Sequence, residues 1–400
     1  MHRATGSSRT VIIAGAGIGG LTAALALAAR DFRAVVIDKA ERLEETGAGI
    51  QLSPNASSVL HGLGLAERLR ASAVAVDEIR IRSQHHRKVA RLPLGHAAEL
   101  RFGAPYLVVH RGDLQAALLA AAQAHPDIEI ELGLSVERWA SHPNGVTVQC
   151  LRGTTAIDRH GIALVGADGL WSTLRTRLFG EQAPRFAGRI AWRTTVPAKT
   201  LDPEYREGAV NLWLGAKAHL VIYPVKARKA INLVAVAPDT TPTSGWSTKA
   251  DRAEVLARFP RWFWSEDVRD ILAWPESWLK WPLYDRPPLA TWGRGAMTLL
   301  GDAAHPMLPF LAQGAAMAIE DAAVLAACLA DGRGEIEAAL RRYEGLRRVR
   351  TAKVQRAARR NDRFYHFGWP LSFARNLALK ALGGERLLAR YDWIYDWRQG

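Results

Sequence analysis

Two stretches near opposite ends of the chain carry residue types able to grip an anionic nucleotide. In the first, Gly15-Ala16-Gly17-Ile18-Gly19-Gly20 follows the apolar run Val11 to Ala14, and Asp38-Lys39 closes a second apolar run, Ala34 to Ile37. Gly15 permits a tight turn, Gly17 lets the backbone approach a pyrophosphate, and Gly20 lets a helix pack closely on a strand. The Asp38 carboxylate stands where a ribose hydroxyl can donate to it. It would repel a 2′-phosphate, which disfavours NADP in this unit and leaves NAD and the ADP half of FAD both open. In the second stretch, Leu300-Gly301-Asp302-Ala303-Ala304-His305-Pro306 follows a buried-strand pattern, and Gln313-Gly314-Ala315 then opens an alanine-rich segment. Composition predicts a helix over 315–330, whose unpaired N–H groups and positive dipole end suit an anionic ligand atom.

The elements that must hold these turns follow from periodicity. Strand, glycine turn, helix (21–29), strand and acid succeed one another as in a dinucleotide-binding unit. The stretch 47–55 reads as a glycine-bearing loop ahead of a helix over 56–63. Alternating strands are expected at 76–82 and 89–94. Arg111 precedes a helix over 114–124, from where it can reach a phosphate or a cofactor edge, or simply face water. Gly166-Ala167-Asp168-Gly169 is a tight turn after a strand, with Ser172 placed to cap the next helix. From 186 to 237 four alternating strands predict an antiparallel sheet, followed by a polar loop over 239–249 and a helix over 250–258. The tryptophans between Trp262 and Trp292 are expected to be packing residues.

At 400 residues, with 48% hydrophobic and 23% charged content, the chain is long enough for two domains of a soluble enzyme. Two cysteines, Cys150 and Cys328, without metal-ligand spacing, argue against a disulfide framework or a metal site, and a reducing cytoplasm fits best. No apolar run is long enough for stable membrane insertion. The net charge of +14 owes much to a predicted helix from Arg341 to Arg363. Its arginines are spread around the helix without a nucleic-acid motif, so a solvated face is expected rather than nucleic-acid binding.

Three motifs in order resemble the single-component FAD-dependent aromatic hydroxylases, the p-hydroxybenzoate hydroxylase family: Gly15 to Gly20, Ala167-Asp168-Gly169, and Gly301-Asp302 with His305-Pro306. The stretch Gly47 to Asn55 and Trp281-Pro282-Leu283 before Asp285-Arg286 are more similar to the salicylate hydroxylase and 3-hydroxybenzoate 6-hydroxylase branch. The resemblance covers nearly the whole chain. It implies an α/β architecture: a Rossmann-like FAD-binding domain with a parallel sheet (1–75, 104–180 and 286–365), an inserted α+β substrate domain with a mostly antiparallel sheet (76–103 and 181–285), and C-terminal helices (366–400). It further implies FAD held by Gly15, Gly17, Gly20, Asp38, Lys39, Arg111, Asp168, Asp302, Gly314 and Ala315, with NADH or NADPH as co-substrate. Dioxygen would hydroxylate a small aromatic acid through a flavin C4a-hydroperoxide. Pro309, Phe310 and Trp213, with Tyr223, are available to line a dry pocket. His219 is the expected base for the substrate's hydroxyl, since the branch has a histidine at the matching place. His305 is expected to serve the fold and the cofactor instead. Arg189 and Arg193 can each meet a carboxylate or be paired structurally. One departure concerns Ala312 of Ala312-Gln313-Gly314, where the wider family has glycine; its methyl restricts the backbone.

Other readings stay open at this level. The same fold serves N-heterocycle hydroxylation, alkene epoxidation and urate oxidation, and a non-catalytic FAD- or polyanion-binding module is conceivable. Halogenation is disfavoured, because no Trp-x-Trp-x-Ile-Pro string occurs. The tail from Phe367 to Trp397 can form a membrane-surface helix or a homodimer contact, with packing on its own domain favoured.

Overall fold

The β-branched run Val11-Ile12-Ile13 has no polar side chain to keep wet, and in the computed structural model, which describes residues 9–43, 48–240, 247–332 and 334–398, all three are fully buried. They belong to Thr10–Ala14, the central strand of a five-stranded sheet. Its order is Met297–Leu299, Ala163–Gly166, Thr10–Ala14, Arg33–Asp38, Ile128–Leu132, and every pairing is parallel. A parallel sheet must be covered on both faces, and the continuous apolar strands match that demand. Helices Ile18–Ala28, Arg111–Gln123 and Gly314–Asp331 enter its core. The sheet therefore brings both glycine turns, more than 280 residues apart in sequence, to the carboxyl ends of two strands with only Ala163–Gly166 between them, at the edge where open α/β sheets bind ligands.

A second sheet of eight strands draws on 78–93 and 185–285, mostly antiparallel, with one parallel pairing between Ala209–Leu214 and Glu78–Ser83. Strand alternation splits it into two faces. One face, carrying Trp192, Trp213, Leu220, Ile222 and Leu233, packs with Val255, Val268 and Leu272 of two covering helices. The other face, carrying Arg193, His219, Val221, Tyr223, Val234 and Val236, looks into a cavity.

Several elements depart from the sequence expectation. The stretch read as a loop at 47–55 holds a strand, Gly49–Leu52, and helix Pro54–Gly62 begins within it; Gly47 lies outside the described residues. The strand pairs with Leu107–His110, and Gly49 N–H donates to the Asn232 side chain at 2.6 Å, a contact no local signal announces. Ala250 lies in a strand, Thr248–Asp251, and the helix starts only at Arg252, where the Asp251 side chain accepts from the Glu254 N–H. Trp264, Trp278, Trp281 and Trp292 are buried, whereas Trp262 and Trp274 are exposed. The arginine-rich helix, Ile336–Tyr365, is not simply solvated. Arg347 is fully buried, and Arg350 and Arg359 are largely covered by their carboxylate partners, while Arg342, Arg348 and Arg356 face water. In the tail, Leu379, Leu387, Leu388, Ile394 and Tyr395 pack against the chain's own strands and helices. Among the described residues no helix is long and apolar enough to cross a membrane.

Candidate functional site

The first turn is built by close contact. Gly15 takes φ +117°, and a Cβ on it would sit 2.3 Å from the Ala167 carbonyl oxygen. A Cβ on Gly20 would lie 1.9 Å from the Gly15 carbonyl, so helix and turn meet through a hydrogen atom. Gly17 is different: nothing lies within 4 Å of where its Cβ would be. Asp38 holds the turn from below, accepting from Ala16 N–H at 2.7 Å and Ala40 N–H at 2.9 Å, and Gln115 donates to the Ala16 carbonyl at 3.0 Å. Lys39 is exposed beside it.

The second turn is held by a buried ionic network. Asp321 accepts from Gly301 N–H at 3.0 Å, from His305 Nε2 at 2.5 Å and from Arg347 Nε at 2.6 Å. Burial alone would raise the Asp321 carboxyl, but His305 and Arg347 hold it down at about 2. Glu320 accepts from Arg347 and Arg350, and from Asn55 Nδ2 at 2.6 Å. Asn55 in turn contacts Ser53 and Gln313, so one network ties the start of helix Pro54–Gly62 to the start of helix Gly314–Asp331. His305 is thus held inside the fold by Asp321. Ala312 sits in the left-handed region at φ 53°, the conformation that glycine reaches without penalty.

Between the two sheets lies a cavity of about 410 Å³. Gly17, Ile18 and Gly19 from one helix start and Gly314 and Ala315 from another line the same wall. Neither N-cap residue, Gly17 or Gln313, caps its helix through a side chain, so peptide N–H groups and two positive dipole ends are directed at one space. Arg111 and Asp302 line it together. Asp302 is exposed on the cavity wall. Protein surrounds it, which raises its carboxyl against the opposing pull of His305 and Arg111, and burial lowers the Arg111 guanidinium against the pull of Asp302. Asp168 does not line the cavity, although Ala167 and Gly169 do. Its Oδ2 accepts from the N–H groups of Thr173 and Leu174, while its Oδ1 is buried without a hydrogen-bond partner among the described residues.

The opposite wall is the face of the large sheet carrying His219, Tyr223, Val221, Val234, Val236 and Arg193, closed by Trp281 and Pro309. Two expected pocket residues are not there. Trp213 pairs with Leu220, one position out of phase with His219 and Val221, so alternation turns it to the far face among Trp192 and Ile222. Phe310 is buried behind the wall, its ring 5.6 Å from that of His219, so it supports the histidine without lining the cavity. Arg189 is also withdrawn, paired with Asp362 and donating to the Lys217 carbonyl at 2.9 Å. Arg193 keeps its place on the cavity, with a buried Nε that has no hydrogen-bond partner among the described residues and its guanidinium carbon 5.4 Å from the Trp281 ring centroid. His219 is enclosed, and burial, with His366 and Arg189 nearby, pushes its imidazole well below the usual range. Its Nδ1 meets His366 Nε2 at 2.8 Å. No sequence motif marks His366; only the register of sheet against helix reveals it.

A family profile described as FAD binding domain matches residues 8–358. The chain is 35% identical to the 3-hydroxybenzoate 6-hydroxylase of Polaromonas naphthalenivorans (strain CJ2), covering 98% of this chain and 96% of the relative. It is 39% identical to the 3-amino-4-hydroxybenzoate 2-monooxygenase of Streptomyces cremeus, covering 89% and 87%. A solved salicylate hydroxylase substrate complex superposes with a TM-score of 0.82 at 26% identity, covering 98% of this chain and 96% of that one.

Proposed function

Because the chain belongs to the FAD binding domain family, we propose that it hydroxylates a small hydroxybenzoate-like acid, taking electrons from NADH or NADPH and oxygen from dioxygen. The fold and the cavity fit the cofactor. Gly17 opens onto free space where a pyrophosphate must approach, and Gly314–Ala315 offers a second set of peptide donors along the same wall. In this reading the Gly15–Gly20 turn, Asp38, Arg111, Asp302 and Gly314–Ala315 hold FAD, with Asp168 supporting the turn beside it and Lys39 at its exposed edge. When bound, FAD supplies the passage of electrons from the nicotinamide and the activation of dioxygen.

The remaining chemistry falls to side chains of the large sheet. The observation that carries the reading is an enclosed histidine and a cavity-facing arginine on one wall, opposite two helix N-termini. Arg193 pairs with Val234, and Val234 with Val221, so Arg193 stands two strands across and two residues along from His219. Strand geometry puts their Cα atoms roughly 12 Å apart, a span that the two side chains and a benzoate ring between them can fill. Arg193 then takes the carboxylate bidentately, and His219 accepts the ring hydroxyl's proton through Nε2, which enriches the ring for attack. Val221, Val234, Val236, Trp281 and Pro309 exclude water around it. NADH and NADPH oxidation measured across a panel of hydroxybenzoates tests the reading. Stimulation by a ring bearing both carboxylate and hydroxyl supports it, and indifference to every member of the panel overturns it. His219→Ala should retain FAD yet slow product formation and divert NAD(P)H consumption into hydrogen peroxide.

A further inference from the structure

The contacts behind His219 continue to the surface. His219 Nδ1 lies 2.8 Å from His366 Nε2, and His366 Nδ1 lies 3.0 Å from Asp362 Oδ1. The Asp362 side chain is 20% exposed, whereas those of His219 and His366 are buried. The line thus runs from the cavity wall to solvent in three side chains. It crosses from the strand His219–Val225 to the last turn of helix Ile336–Tyr365 and its C-cap, His366. Its geometry is fixed from several sides. Arg189 pairs with Asp362, Lys217 N–H donates to the His366 carbonyl at 3.1 Å, and Arg375 donates to the carbonyls of Phe364 and Tyr365. The rings of Phe310 and Tyr365 stand edge-on to His219 at 5.6 and 5.5 Å, which shields the first link from water.

Resting on the function proposed above, we propose that His366 and Asp362 form the proton exit of the cavity, carrying the substrate's hydroxyl proton from His219 to solvent. With Asp362 ionised, His366 Nδ1–H donates to it, which leaves His366 Nε2 as an acceptor for His219 Nδ1–H and His219 Nε2 as the atom facing the cavity. When the substrate hydroxyl protonates Nε2, the Nδ1 proton of His219 passes to His366 Nε2. The Nδ1 proton of His366 passes to the Asp362 carboxylate, which releases it to water. The substrate loses one proton, solvent gains one, and no electron moves. The relay answers a difficulty in the site. An imidazole enclosed by Phe310 and Tyr365, with the Arg189 cation nearby, is a poor place to keep a proton, so the proton must leave by a second group. The titratable groups around this path are Arg189 from the strand Arg185–Pro197, and Asp362, Tyr365 and His366 from the helix end; the turn Pro309–Leu311 contributes only Phe310. His366 and Asp362 act through His219 and are positioning residues in that sense.

The test compares FAD-loaded wild type with His366→Gln and Asp362→Asn, which keep hydrogen-bonding capacity but do not pass a proton on. Each is mixed rapidly with 3-hydroxybenzoate in weak buffer, and proton release is followed with a pH indicator. A tenfold or greater slowing in both variants, with the dissociation constant within about threefold of wild type and the rate of His366→Gln restored by added imidazole, is the expected result. Unchanged release rates, or weaker binding with no change in release, would overturn the relay and leave His366 a helix cap. If wild type neither binds nor turns over any hydroxybenzoate, the proposed function fails instead, and the relay is read without substrate. In selectively ¹⁵N-histidine-labelled holoenzyme, solvent exchange of the His219 ring N–H should then slow in both variants. Wild-type exchange in both would reject the path.

Discussion

Substituting alanine at two glycines of the first turn separates cofactor binding from folding. At Gly17 the backbone is extended, with φ −74° and ψ −178°, and an added Cβ meets nothing within 4 Å. Gly17→Ala should therefore leave the FAD-free protein as stable as wild type, or more stable by about 0.4–1 kcal/mol through reduced freedom of the unfolded chain. The open space is the place assigned to the pyrophosphate, so the same methyl should weaken FAD binding at least tenfold, about 1.4 kcal/mol. Gly20→Ala is the opposite case. Its Cβ would stand 1.9 Å from the Gly15 carbonyl oxygen and must be driven off by more than about 1 Å, a separation of helix and strand costing about 1–3 kcal/mol with or without FAD. Urea denaturation of both variants after removal of flavin, together with fluorescence titration by FAD, measures the two quantities separately. Gly17→Ala that binds FAD as wild type does, or that unfolds more easily in its absence, would refute the assignment of this turn to the cofactor.

Arg193→Met should raise the KM for a carboxylate-bearing substrate roughly tenfold to hundredfold, from the loss of a charge-assisted pair of about 1.5–3 kcal/mol, with little change for a neutral phenol. Steady-state kinetics on acid and amide analogues decide it, and equal losses on both would remove Arg193 from recognition. Arg347→Met leaves Glu320 and Asp321 buried without their shared cation and should cost about 3–5 kcal/mol in urea denaturation. The Asp321 carboxyl is held down at about 2 from 3.8, so its contribution is complete above about pH 4 and disappears as pH falls towards 2. Stability measured across that window should drop in wild type and drop less in Arg347→Met; parallel curves would contradict the pairing. Ala312→Gly removes a left-handed alanine and should raise the denaturation midpoint by an amount equivalent to about 1 kcal/mol, whereas a lower midpoint would show that the Ala312 methyl contributes packing that outweighs its strain.

Local rules made the nucleotide turns legible. Gly20 answers a steric demand a few residues away and Gly15 one across a strand pairing readable from apolar runs, Gly17 opens onto free space between them, and the acid Asp38 follows on the next strand. His219 is reachable only through the family resemblance, since no local rule singles it out, and it ends on the cavity side. The side taken by Trp213 is not legible in the sequence, because alternation tells which residues share a face but not which face looks into the cavity; the pairing of Trp213 with Leu220 decides that, and pairing is a long-range fact. Phe310 follows two prolines in a turn without periodicity, so nothing in the sequence sets its direction. The ionic network was hidden for the same reason. Arg347 and Arg350 look like any other members of a basic helix until the fold sets them against Glu320 and Asp321, 27 and 26 residues before Arg347. His366 lies 147 residues from His219, and no spacing rule connects them.

In the proposed reaction this chain places one oxygen atom from dioxygen on an aromatic acid held between its five-stranded and eight-stranded sheets. Purified protein reconstituted with FAD, given NADH or NADPH and a hydroxybenzoate under isotopically heavy dioxygen, tests it directly by mass spectrometry of the product. The expected product is a ring-hydroxylated acid carrying one heavy oxygen, and it is lost when FAD is omitted. Nucleotide oxidation that yields only labelled hydrogen peroxide, or a product whose new oxygen comes from water, would contradict it.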